Sequence, residues 1–525
     1  MRRRAARIAL MCLALALLAA DCGGFAEPAA PTNAEPAVYT SVDELNGKVI
    51  GSSTGTTYDQ IVSRRLSDVT FSYYNNYTDM LTALQSGKIA AFASDEPMLA
   101  TIMAENSQVT MLPEYLDTFD FGFIFSKDDR GAELCGQMNE FLRELRESGR
   151  LEELTEEWFS GNLDSVPMPD IHALTGENGQ LTMATEALAP PFEFMRGEEF
   201  AGMDIKLAIL FCERYGYGLT VQNMNFDAVL PAIQTGKSDF GGAAIAITEE
   251  RAQSVAFSEP YYSGGTVMAV LKAAPAAAAE AESLSFWDGI VSSFGKTFMR
   301  EGRWKLFVKG VATSLLITLL SILFGTALGF VVFMLCRNGN PVANGVTRFC
   351  LWLVQGMPMV VLLMILYYII FGSVSISGVL VAVIGFTLTF GAAVFGLLKM
   401  GVGAVDPGQY EAAYALGYSN RRTFFRIILP QALPHVLPAY KGEIVALIKA
   451  TAVVGYIAVQ DLTKMGDIVR SRTYEAFFPL IAVTVIYFAL EAFIKLLFRK
   501  ITIHLDLRRR RPEEILKGVK TDDQN

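Results

Sequence analysis

The pattern of hydrophobic and polar positions divides the chain into two unlike parts. Residues 38–272 alternate short apolar runs with polar stretches, which is typical of a soluble domain built from strands and helices. Residues 308–500 carry long apolar runs with few charges, and runs of this length can cross a bilayer. The pattern therefore predicts a multidomain protein, in which a soluble α/β part precedes an all-α membrane part.

The soluble part is predicted to consist of two segments, 38–160 and 180–272, in which strands and helices alternate. A Pro-, Gly- and Asp-rich connection, 161–179, separates the two segments. Near the end of the first segment we expect a strand over 121–125 and then one charged amphipathic helix over 132–158. Both segments have the composition of a folded α/β domain rather than of a linker.

The apolar part is predicted to contain about five spans with tilts and local breaks, because several runs are short or interrupted by glycine. Before it, residues 273–283 are rich in Ala, Glu and Pro and are expected to form a linker. Aromatic and basic residues in 284–307 predict an interfacial amphipathic helix. The expected spans lie at about 310–335, 350–371, 376–399, 441–459 and 477–498.

The N-terminus has the pattern of an export signal over residues 1–22. Four arginines precede an apolar stretch that is short for a span, and Cys22 with two glycines follows it. This order resembles a lipoprotein cleavage box, except that Asp21 stands where a small residue is usual. Cys22 is therefore a candidate lipidation site, and an uncleaved anchor is the alternative. Residues 23–37 are rich in Ala, Pro and Glu, which predicts a flexible tether.

An exported N-terminal domain followed by five spans places the C-terminus in the cytoplasm. The basic tail 501–525 and the arginines near 337, 348 and 421–426 then lie inside, in agreement with the positive-inside rule. Three basic residues are expected on the outer side, namely Lys464, Arg470 and Arg472.

The composition argues against several classes of function. The net charge of −10 argues against a nucleic-acid partner, and the hydrophobic share of 52% with a mean hydropathy of +0.33 exceeds a soluble composition. The three histidines are scattered and accompany no evident nucleophile and base, so the chain is not expected to be an enzyme by itself, and no metal site is predicted. Cys135 and Cys212 are expected to be buried free thiols, although a disulfide between them is an alternative.

The soluble part resembles periplasmic amino-acid-binding proteins. Residues 181–262 resemble the first part of that family in LTMATEALAPPFEF, FAGMDIKLA, NFDAVLPAIQTGKSDF and AITEERAQSVAFSEPYY. Residues 41–160 resemble the remaining part in DELNGKVIGSSTGTT, LQSGKIAAFASDEP and LEELTEEWFSG. The two blocks stand in reversed order. The resemblance thus implies a two-lobed periplasmic-binding-protein (type II) fold that is circularly permuted, with 38–160 supplying lobe 2 and the closing helices and 180–272 supplying lobe 1. Two truncated domains are the alternative.

The same resemblance implies a cleft for an α-amino acid. Arg251 matches the family's carboxylate-clamping arginine, and Asp95 matches its ammonium-binding aspartate. Gly55, Thr56 and Thr57 match a turn whose N–H and hydroxyl groups bind the same carboxylate from the other lobe. These residue types suit the chemistry, because a carboxylate prefers a bidentate guanidinium and an ammonium prefers a carboxylate.

Two further residues are implied to contact the ligand side chain. Phe226 matches an aromatic that covers it, and Glu186 occupies a position that faces it, which would favour a basic or polar ligand. The sequence also departs from the family. Ala189 stands where relatives have an aromatic, and Ala246 stands where they often have Ser or Thr, so a stacking wall and a hydroxyl are missing.

A polar insert, EAAYALGYSNRRTFFRIILP at 411–430, lies between apolar segments. With Glu411, Ala412, Ala413 and Gly417 it resembles the EAA loop of type I ABC importer permeases, and 308–500 resembles the polar-amino-acid branch of those permeases. In that family the short helix of the loop binds a groove of the ATPase subunit. Gly417 is expected to turn the helix into an elbow, and Pro430 and Pro434 to end it before the next span.

Together the resemblances imply the substrate-binding and permease subunit of an ATP-driven importer of a polar or charged amino acid, located in the cell membrane. They imply no cofactor in this chain, ATP and Mg on a separate ATPase present in two copies, and a homodimer of this chain. The alternatives are an amino-acid-gated channel and a membrane-bound amino-acid sensor.

Overall fold

The structure is a computed structural model, and the described residues from Tyr39 onward belong to one compact unit. The predicted export signal with Cys22, the tether, the linker at 273–283 and most of the tail at 501–525 lie outside the described residues. The structure describes residues 38–159, 162–272, 286–337, 339–372, 374, 376–475 and 477–505.

The first part of the chain alternates strands and helices, as its polarity pattern predicts. The strands are β1 (Lys48–Ser53), β2 (Val69–Tyr74), β3 (Ala91–Asp95), β4 (Val109–Met111), β5 (Asp117–Phe121), β6 (Ile124–Phe125), β7 (Gln180–Thr185), β8 (Leu188–Ala189), β9 (Glu193–Arg196), β10 (Glu199–Ala201), β11 (Gly218–Asn223), β12 (Phe240–Gly241), β13 (Ala256–Phe257) and β14 (Tyr262–Leu271). The helices are α1 (Tyr58–Arg65), α2 (Tyr77–Gln85), α3 (Glu96–Glu105), α4 (Asp129–Glu147), α5 (Arg150–Phe159), α6 (Met203–Tyr215), α7 (Phe226–Gln234) and α8 (Glu249–Ser254).

Two large sheets form two lobes, and each sheet takes strands from both segments. The lobe of the sheet that contains β1 is called the first lobe and corresponds to the predicted lobe 2, and the lobe of the sheet that contains β7 is called the second lobe and corresponds to the predicted lobe 1. The first sheet has the order β2-β1-β3-β14-β4, with β5 also paired to β14, and β14 comes from the second segment. The second sheet has the order β11-β7-β12-β6-β13, and its strand β6 comes from the first segment. A small sheet, β10-β9-β8, lies beside the second. Because each large sheet includes a strand from the other segment, the two segments build one two-lobed unit.

The chain crosses between the lobes at residues 122–123 and 258–261. The single strand expected over 121–125 is wrong, because β5 ends in one sheet and β6 begins in the other. Gly122 sits at this crossing, where a Cβ atom would lie 3.0 Å from the Ile247 side chain. The single helix expected over 132–158 is also two helices, because Gly149 adopts a left-handed φ of 76° between α4 and α5.

The closing helices of the first segment pack on the second lobe. Trp158 of α5 is almost fully buried and meets Phe194 of β9 edge to face at 6.0 Å. In α4, Phe141 meets Phe211 of α6 at 6.0 Å in the same geometry. Burial of one such aromatic side chain contributes about 3–5 kcal/mol, the usual cost of its truncation to alanine. These contacts hold the two segments together in addition to the strands that they share in the two large sheets.

The second part of the chain is helical. Three of its described helices are long and apolar enough to cross a membrane, namely Trp304–Cys336, Gly378–Gly403 and Phe477–Arg499. Two bent helix pairs raise the number to five if each pair is one span. The helices are α9 (Phe286–Phe294), α10 (Trp304–Cys336), α11 (Pro341–Gly356), α12 (Met359–Met364), α13 (Gly378–Gly403), α14 (Gly408–Ala415), α15 (Asn420–Thr423), α16 (Leu429–Ala450), α17 (Leu462–Thr473) and α18 (Phe477–Leu505).

The spans expected at 350–371 and 441–459 lie in these bent pairs, and the local breaks expected among the spans are present. Pro341–Gly356 and Met359–Ile370 meet at 109°, and Pro358 lies at that break. Asn420–Ile457 and Leu462–Thr473 meet at 59°, where Ala458 has a left-handed φ of 58°. Local backbone geometry thus interrupts apolar runs that hydropathy alone treats as continuous.

Two other expectations about the helical part are wrong. The interfacial helix expected over 284–307 is broken, because Glu301 has a φ of 56° and Gly302 a φ of 65° directly before α10. Pro430 and Pro434 do not end the helix, since Pro430 lies in the first turn of α16 and Pro434 lies inside it. A proline is tolerated in an apolar helix where neighbouring helices and local changes of helical turn satisfy the freed backbone groups, and a π-helical turn, Phe424–Ile428, precedes α16.

Small residues allow the long helices to approach closely. A Cβ atom at Gly329 of α10 would lie 2.5 Å from the carbonyl oxygen of Gly391 in α13. In contrast, large apolar side chains such as Leu319 and Trp352 are 63% and 69% exposed. Small residues at helix crossings and apolar residues on the outside are typical of helices surrounded by lipid.

Candidate ligand-binding site

A cavity lies between the two lobes, and it receives most of the predicted ligand-binding residues. It contains about 310 Å³ of empty space, including space open to solvent. It is lined by Thr56, Thr57, Tyr58, Ile61, Asp95, Phe119, Phe121, Phe226, Ala244, Ala246, Arg251 and Thr266.

Asp95 ends strand β3 and is 4% exposed. The hydroxyl of Tyr58 donates to its Oδ2 at 2.8 Å, and the Tyr77 hydroxyl lies 2.8 Å from the Tyr58 hydroxyl. Burial raises the pKa of Asp95 to about 7, against the opposing effects of Tyr58 and of the Arg251 charge. A carboxyl so buried has few partners of its own, and a cationic ligand group would favour its ionised form.

Arg251 lies in α8, whose N-cap Thr248 accepts a hydrogen bond from the Arg251 backbone N–H. Its Nη1 donates to the carbonyl oxygen of Ala246 at 3.0 Å, and its Nη2 donates to the carbonyl oxygen of Gly55 at 3.0 Å. Gly55 belongs to the first lobe and Arg251 to the second, so this bond joins the lobes across the cavity. Burial lowers the pKa of Arg251, and both of these acceptors are uncharged.

The Gly-Thr-Thr turn connects β1 to α1 on the side of the cavity opposite Arg251. Gly55 has a φ of 79°, which a residue with a side chain rarely adopts, and a Cβ atom there would lie 3.3 Å from Phe226. Thr56 Oγ1 donates to the carbonyl oxygen of Ser53 at 2.7 Å, which orders the turn. Thr57 stands directly before the first residue of α1. The turn therefore presents a helix N-terminus to the cavity.

Phe226 begins α7 and forms one wall of the cavity. The guanidinium carbon of Arg251 lies 5.7 Å from the centre of its ring. Phe119 and Phe121, which sequence reasoning missed, supply further aromatic walls and stack on each other with ring centres 4.4 Å apart. Their alternation on β5 is the signal that could have found them.

Thr266 is a second residue that sequence reasoning missed. It is fully buried, it lines the cavity, and it is the register partner of Asp95 in the pairing of β14 with β3. Its hydroxyl has no hydrogen-bond partner among the residues that the structure describes. A buried hydroxyl without a partner is costly to the fold.

Glu186 does not line this cavity. It lines a neighbouring one, with about 450 Å³ of empty space including open solvent, together with Lys464 and Asp467 of α17. Glu186 Oε1 accepts a hydrogen bond of 3.3 Å from the backbone N–H of Phe226, which lines both cavities. Burial raises the pKa of Glu186 to about 7, and the nearby Lys464 charge opposes the shift.

The predicted coupling residues form an exposed elbow far along the chain. Glu411 and Ala412 are exposed on α14, whereas Ala413 is buried and holds the helix against its neighbours. Gly417 follows α14 with a left-handed φ of 77°, so the predicted turn is present. Arg337 at the end of α10 braces the elbow, since its Nη2 donates to Asn420 Oδ1 at 2.9 Å.

Cys135 and Cys212 are both buried and free. Among the described residues, no group of three or more His, Cys, Asp or Glu side chains could hold a metal ion.

The geometry defines a class of protein. A two-lobed α/β unit has a cavity lined by the buried Asp95 carboxyl and the partly buried Arg251 guanidinium, and it is followed by apolar helices that can span a membrane. Residues 181–475, more than half of the chain, match the model of the bacterial extracellular solute-binding proteins, family 3. The chain belongs to this family.

The helical part has relatives of its own. It is similar to the "Putative glutamine transport system permease protein GlnP" of Rickettsia bellii (strain RML369-C), with 32% identity over 198 residues, which is 37% of this chain and 89% of the relative. It is also similar to the L-cystine transport system permease protein TcyL of Bacillus subtilis (strain 168), with 30% identity over 194 residues, 35% of this chain and 81% of the relative.

Among solved structures, an amino acid ABC transporter with histidines is 28% identical, with a TM-score of 0.36, over 38% of this chain and 94% of that chain. The family match and the permease relatives agree on one conclusion. The protein is an amino-acid ABC transporter component in which an extracytoplasmic substrate-binding domain and a membrane permease domain are fused.

Proposed function

We propose that this protein captures a polar or charged amino acid and imports it with energy from a separate ATPase. The observation that carries the proposal is the cavity that holds Asp95 and Arg251 between the lobes. A zwitterionic amino acid offers an ammonium for Asp95 and a carboxylate for Arg251, with the Thr56–Thr57 backbone and the Thr266 hydroxyl as further partners. The glutamine and cystine systems named for two relatives support a polar ligand.

Coupling to the ATPase is assigned to the elbow of Glu411, Ala412, Ala413 and Gly417. Its small and exposed residues offer a surface on which another protein can lie closely. Arg337 links the elbow to α10, and α10 packs against α17, where a Cβ atom at Gly310 would lie 2.7 Å from the Cα atom of Leu462. Direct contacts through α10 and α17 thus connect the elbow to the binding domain, and a motion of the elbow can be transmitted along them.

The assembly follows from the same assignment. ATP and Mg are placed on two copies of a separate ABC ATPase, and two copies of this chain form the membrane pathway. The elbow and the C-terminus face the cytoplasm, and the binding domain faces outwards. Fusion of binding domain and permease keeps the captured ligand near the pathway, at an effective concentration of order mM for a short flexible tether.

The reversed order of the two segments is best explained as circular permutation of one binding domain. Its support is the exchange of β6 and β14 between the segments. Two truncated domains would each leave a sheet incomplete and expose apolar surface.

Ligand binding by the full-length protein in lipid nanodiscs tests the proposal. Isothermal titration with the twenty amino acids should give binding of a polar or charged one. Arg251→Ala should weaken that binding by about a hundredfold or more, because truncating one partner of a buried charge pair commonly costs about 2–5 kcal/mol.

Arg214→Ala is the matched control, because Arg214 forms an exposed ion pair with Glu144 at 2.9 Å outside the cavity. It should bind like the unchanged protein. Binding that survives in Arg251→Ala at full affinity, or absence of binding for every polar amino acid, would contradict the proposed ligand assignment.

A further inference from the structure

Helix α17 joins the binding domain to the helical part. Arg470 forms an ion pair with Asp79 of the first lobe, and its carbonyl oxygen accepts a hydrogen bond of 3.2 Å from Thr78 Oγ1. Lys464 reaches the second lobe, since its Nζ donates to Asn225 Oδ1 at 2.9 Å and to the Met224 carbonyl oxygen at 3.4 Å. One short helix thus contacts both lobes while the cleft is closed.

Lys464 enters the second cavity from the permease side. The side chain is buried, and its helix begins there because Asp461 accepts hydrogen bonds from the Thr463 and Lys464 backbone N–H groups. Gly455 lies beside it, since a Cβ atom there would be in ordinary van der Waals contact with Lys464 Cδ at 3.8 Å and with Asn225 Oδ1 at 3.5 Å. An ammonium buried to this degree requires negative charge or several acceptors around it.

The carboxyl groups around Lys464 come from its own helix, through Asp461 and Asp467, and from the binding domain. Asp467, on the same helix, is paired with Arg470 at 3.2 Å. Glu186 and Asp227 remain as the carboxyl groups of the binding domain that line this cavity. Two carboxyl groups of the binding domain therefore share this cavity with the Lys464 ammonium, whose hydrogen-bond acceptors there are the neutral Asn225 and Met224 oxygens.

The second cavity adjoins the ligand cleft. Phe226 lines both cavities, and its backbone N–H donates to Glu186. A long ligand side chain that passes Phe226 from the Asp95–Arg251 end would reach Glu186, where its cationic end would meet the same carboxyl groups as Lys464.

We propose that Lys464 acts as an internal counter-ion for Glu186 and Asp227 when the binding domain lies against α17, so that it competes with the cationic side chain of a bound amino acid and favours its release towards the permease. This inference rests on the proposed import function, and it adds a permease residue to the ligand cleft of the binding domain. It predicts that the docked protein binds cationic amino acids more weakly than its cleft alone would.

The test compares L-arginine with L-glutamine as probes for the full-length protein in lipid nanodiscs. Lys464→Met keeps the aliphatic stem and removes the charge. It should raise the affinity for L-arginine relative to L-glutamine by about tenfold or more, the size expected for a charge pair in a partly buried site. Lys464→Gln, which retains a donor for Asn225, should shift the ratio in the same direction.

Two controls separate this effect from general loss of docking. Lys305→Met removes another ammonium at the same interface, which pairs with Glu198 at 3.3 Å and is exposed, and it should leave the ratio unchanged. Glu186→Gln combined with Lys464→Met should remove most of the gain, because the carboxylate that L-arginine would use is gone.

The outcomes are distinguishable. If both Lys464 variants bind L-glutamine and show an unchanged ratio, the counter-ion role is overturned while the import function stands. If the unchanged protein binds neither probe, the polar-ligand assignment fails and the counter-ion role fails with it. A shift in both Lys464 variants, absent from Lys305→Met, supports the inference.

Discussion

The ligand cleft and the coupling elbow differ in how far their polar side chains are exposed and bonded within the chain. In the cleft, Asp95 is 4% exposed and bonded to Tyr58, and Arg251 bonds to two carbonyl oxygens. In the elbow, Glu411 is exposed, and Leu416 beside it is 77% exposed. The charged groups of the cleft have partners within this chain, whereas the elbow presents groups that nothing covers in the described residues.

This difference indicates two kinds of function. Buried charges with directed partners select a small ligand, because each unpaired group there carries a desolvation cost that the ligand can remove. The proposed function assigns the exposed elbow, with its small residues, to binding a protein surface. Substitutions in the two regions should therefore separate binding from transport.

The largest effect is expected from reversing the elbow charge. Glu411→Lys should abolish ATP-dependent uptake of the bound amino acid in proteoliposomes containing the ATPase, and it should leave ligand affinity unchanged. The side chain is exposed, so the fold tolerates the change, but a reversed charge at a docking surface repels its partner. Glu411→Gln, which only removes the charge, should retain part of the uptake. Full uptake by Glu411→Lys would show that the elbow does not couple.

A smaller effect, inside the cleft, is expected from pH. Burial holds the pKa of Asp95 at about 7 without ligand, above its ordinary value, and an ammonium binds only the ionised form. Affinity should therefore fall by about tenfold between pH 8 and pH 6, because roughly one carboxyl in eleven is ionised one pH unit below its pKa.

Titration of binding from pH 5 to pH 8 measures this dependence. Asp95→Asn should bind weakly with a flat profile. Glu186→Gln should keep the profile for L-glutamine, since Glu186 lines the other cavity. An unchanged affinity over this range would show that Asp95 does not meet the ligand ammonium. The same shift makes the ligand-free fold less stable as pH rises from about 4 to 7, because in that window Asp95 ionises readily in the unfolded chain but keeps its proton in the fold.

The smallest effect is expected at the turn of the elbow. Gly417→Ala places a side chain at a φ of 77°, in open space with no atom within 4 Å of the new Cβ. The cost is backbone strain alone, about 1–2 kcal/mol, so uptake should fall in part and ligand binding should not change. Gly136→Ala, at a helical glycine with equally open surroundings, is the control and should not lower uptake. Complete loss of uptake in Gly417→Ala would mean that the turn must change its conformation during transport.

Much of the architecture could be predicted from local pattern. Strand β1, helices α1 and α6 and the division into soluble and apolar parts follow from periodicity, since period and hydropathy are properties of a short stretch. The errors have local causes as well. Gly149 and the Glu301–Gly302 corner break helices through left-handed φ values, and the chain leaves one sheet at Gly122. A polarity pattern does not encode these angles.

The residues of the candidate site were likewise predictable from the sequence only in part. Asp95, Arg251, the Gly55 turn and Phe226 were found through resemblance, and the structure brings them together. Thr266 and Phe119 could not be found that way, because they enter the cavity through strand pairing. Glu186 was placed with the ligand, and it lies with Lys464, nearly 300 positions away in the chain.

The amino-acid order alone determined that this chain joins a soluble α/β part to apolar helices, and which short motifs it carries. Only the tertiary structure decided that β6 and β14 exchange between the segments, that Thr266 faces Asp95, and that a permease lysine reaches the binding domain. The physical reason is the separation along the sequence over which each kind of interaction acts. Hydrophobic periodicity acts over a few residues, whereas sheet order and the charges around a cavity depend on contacts between residues that are distant in sequence.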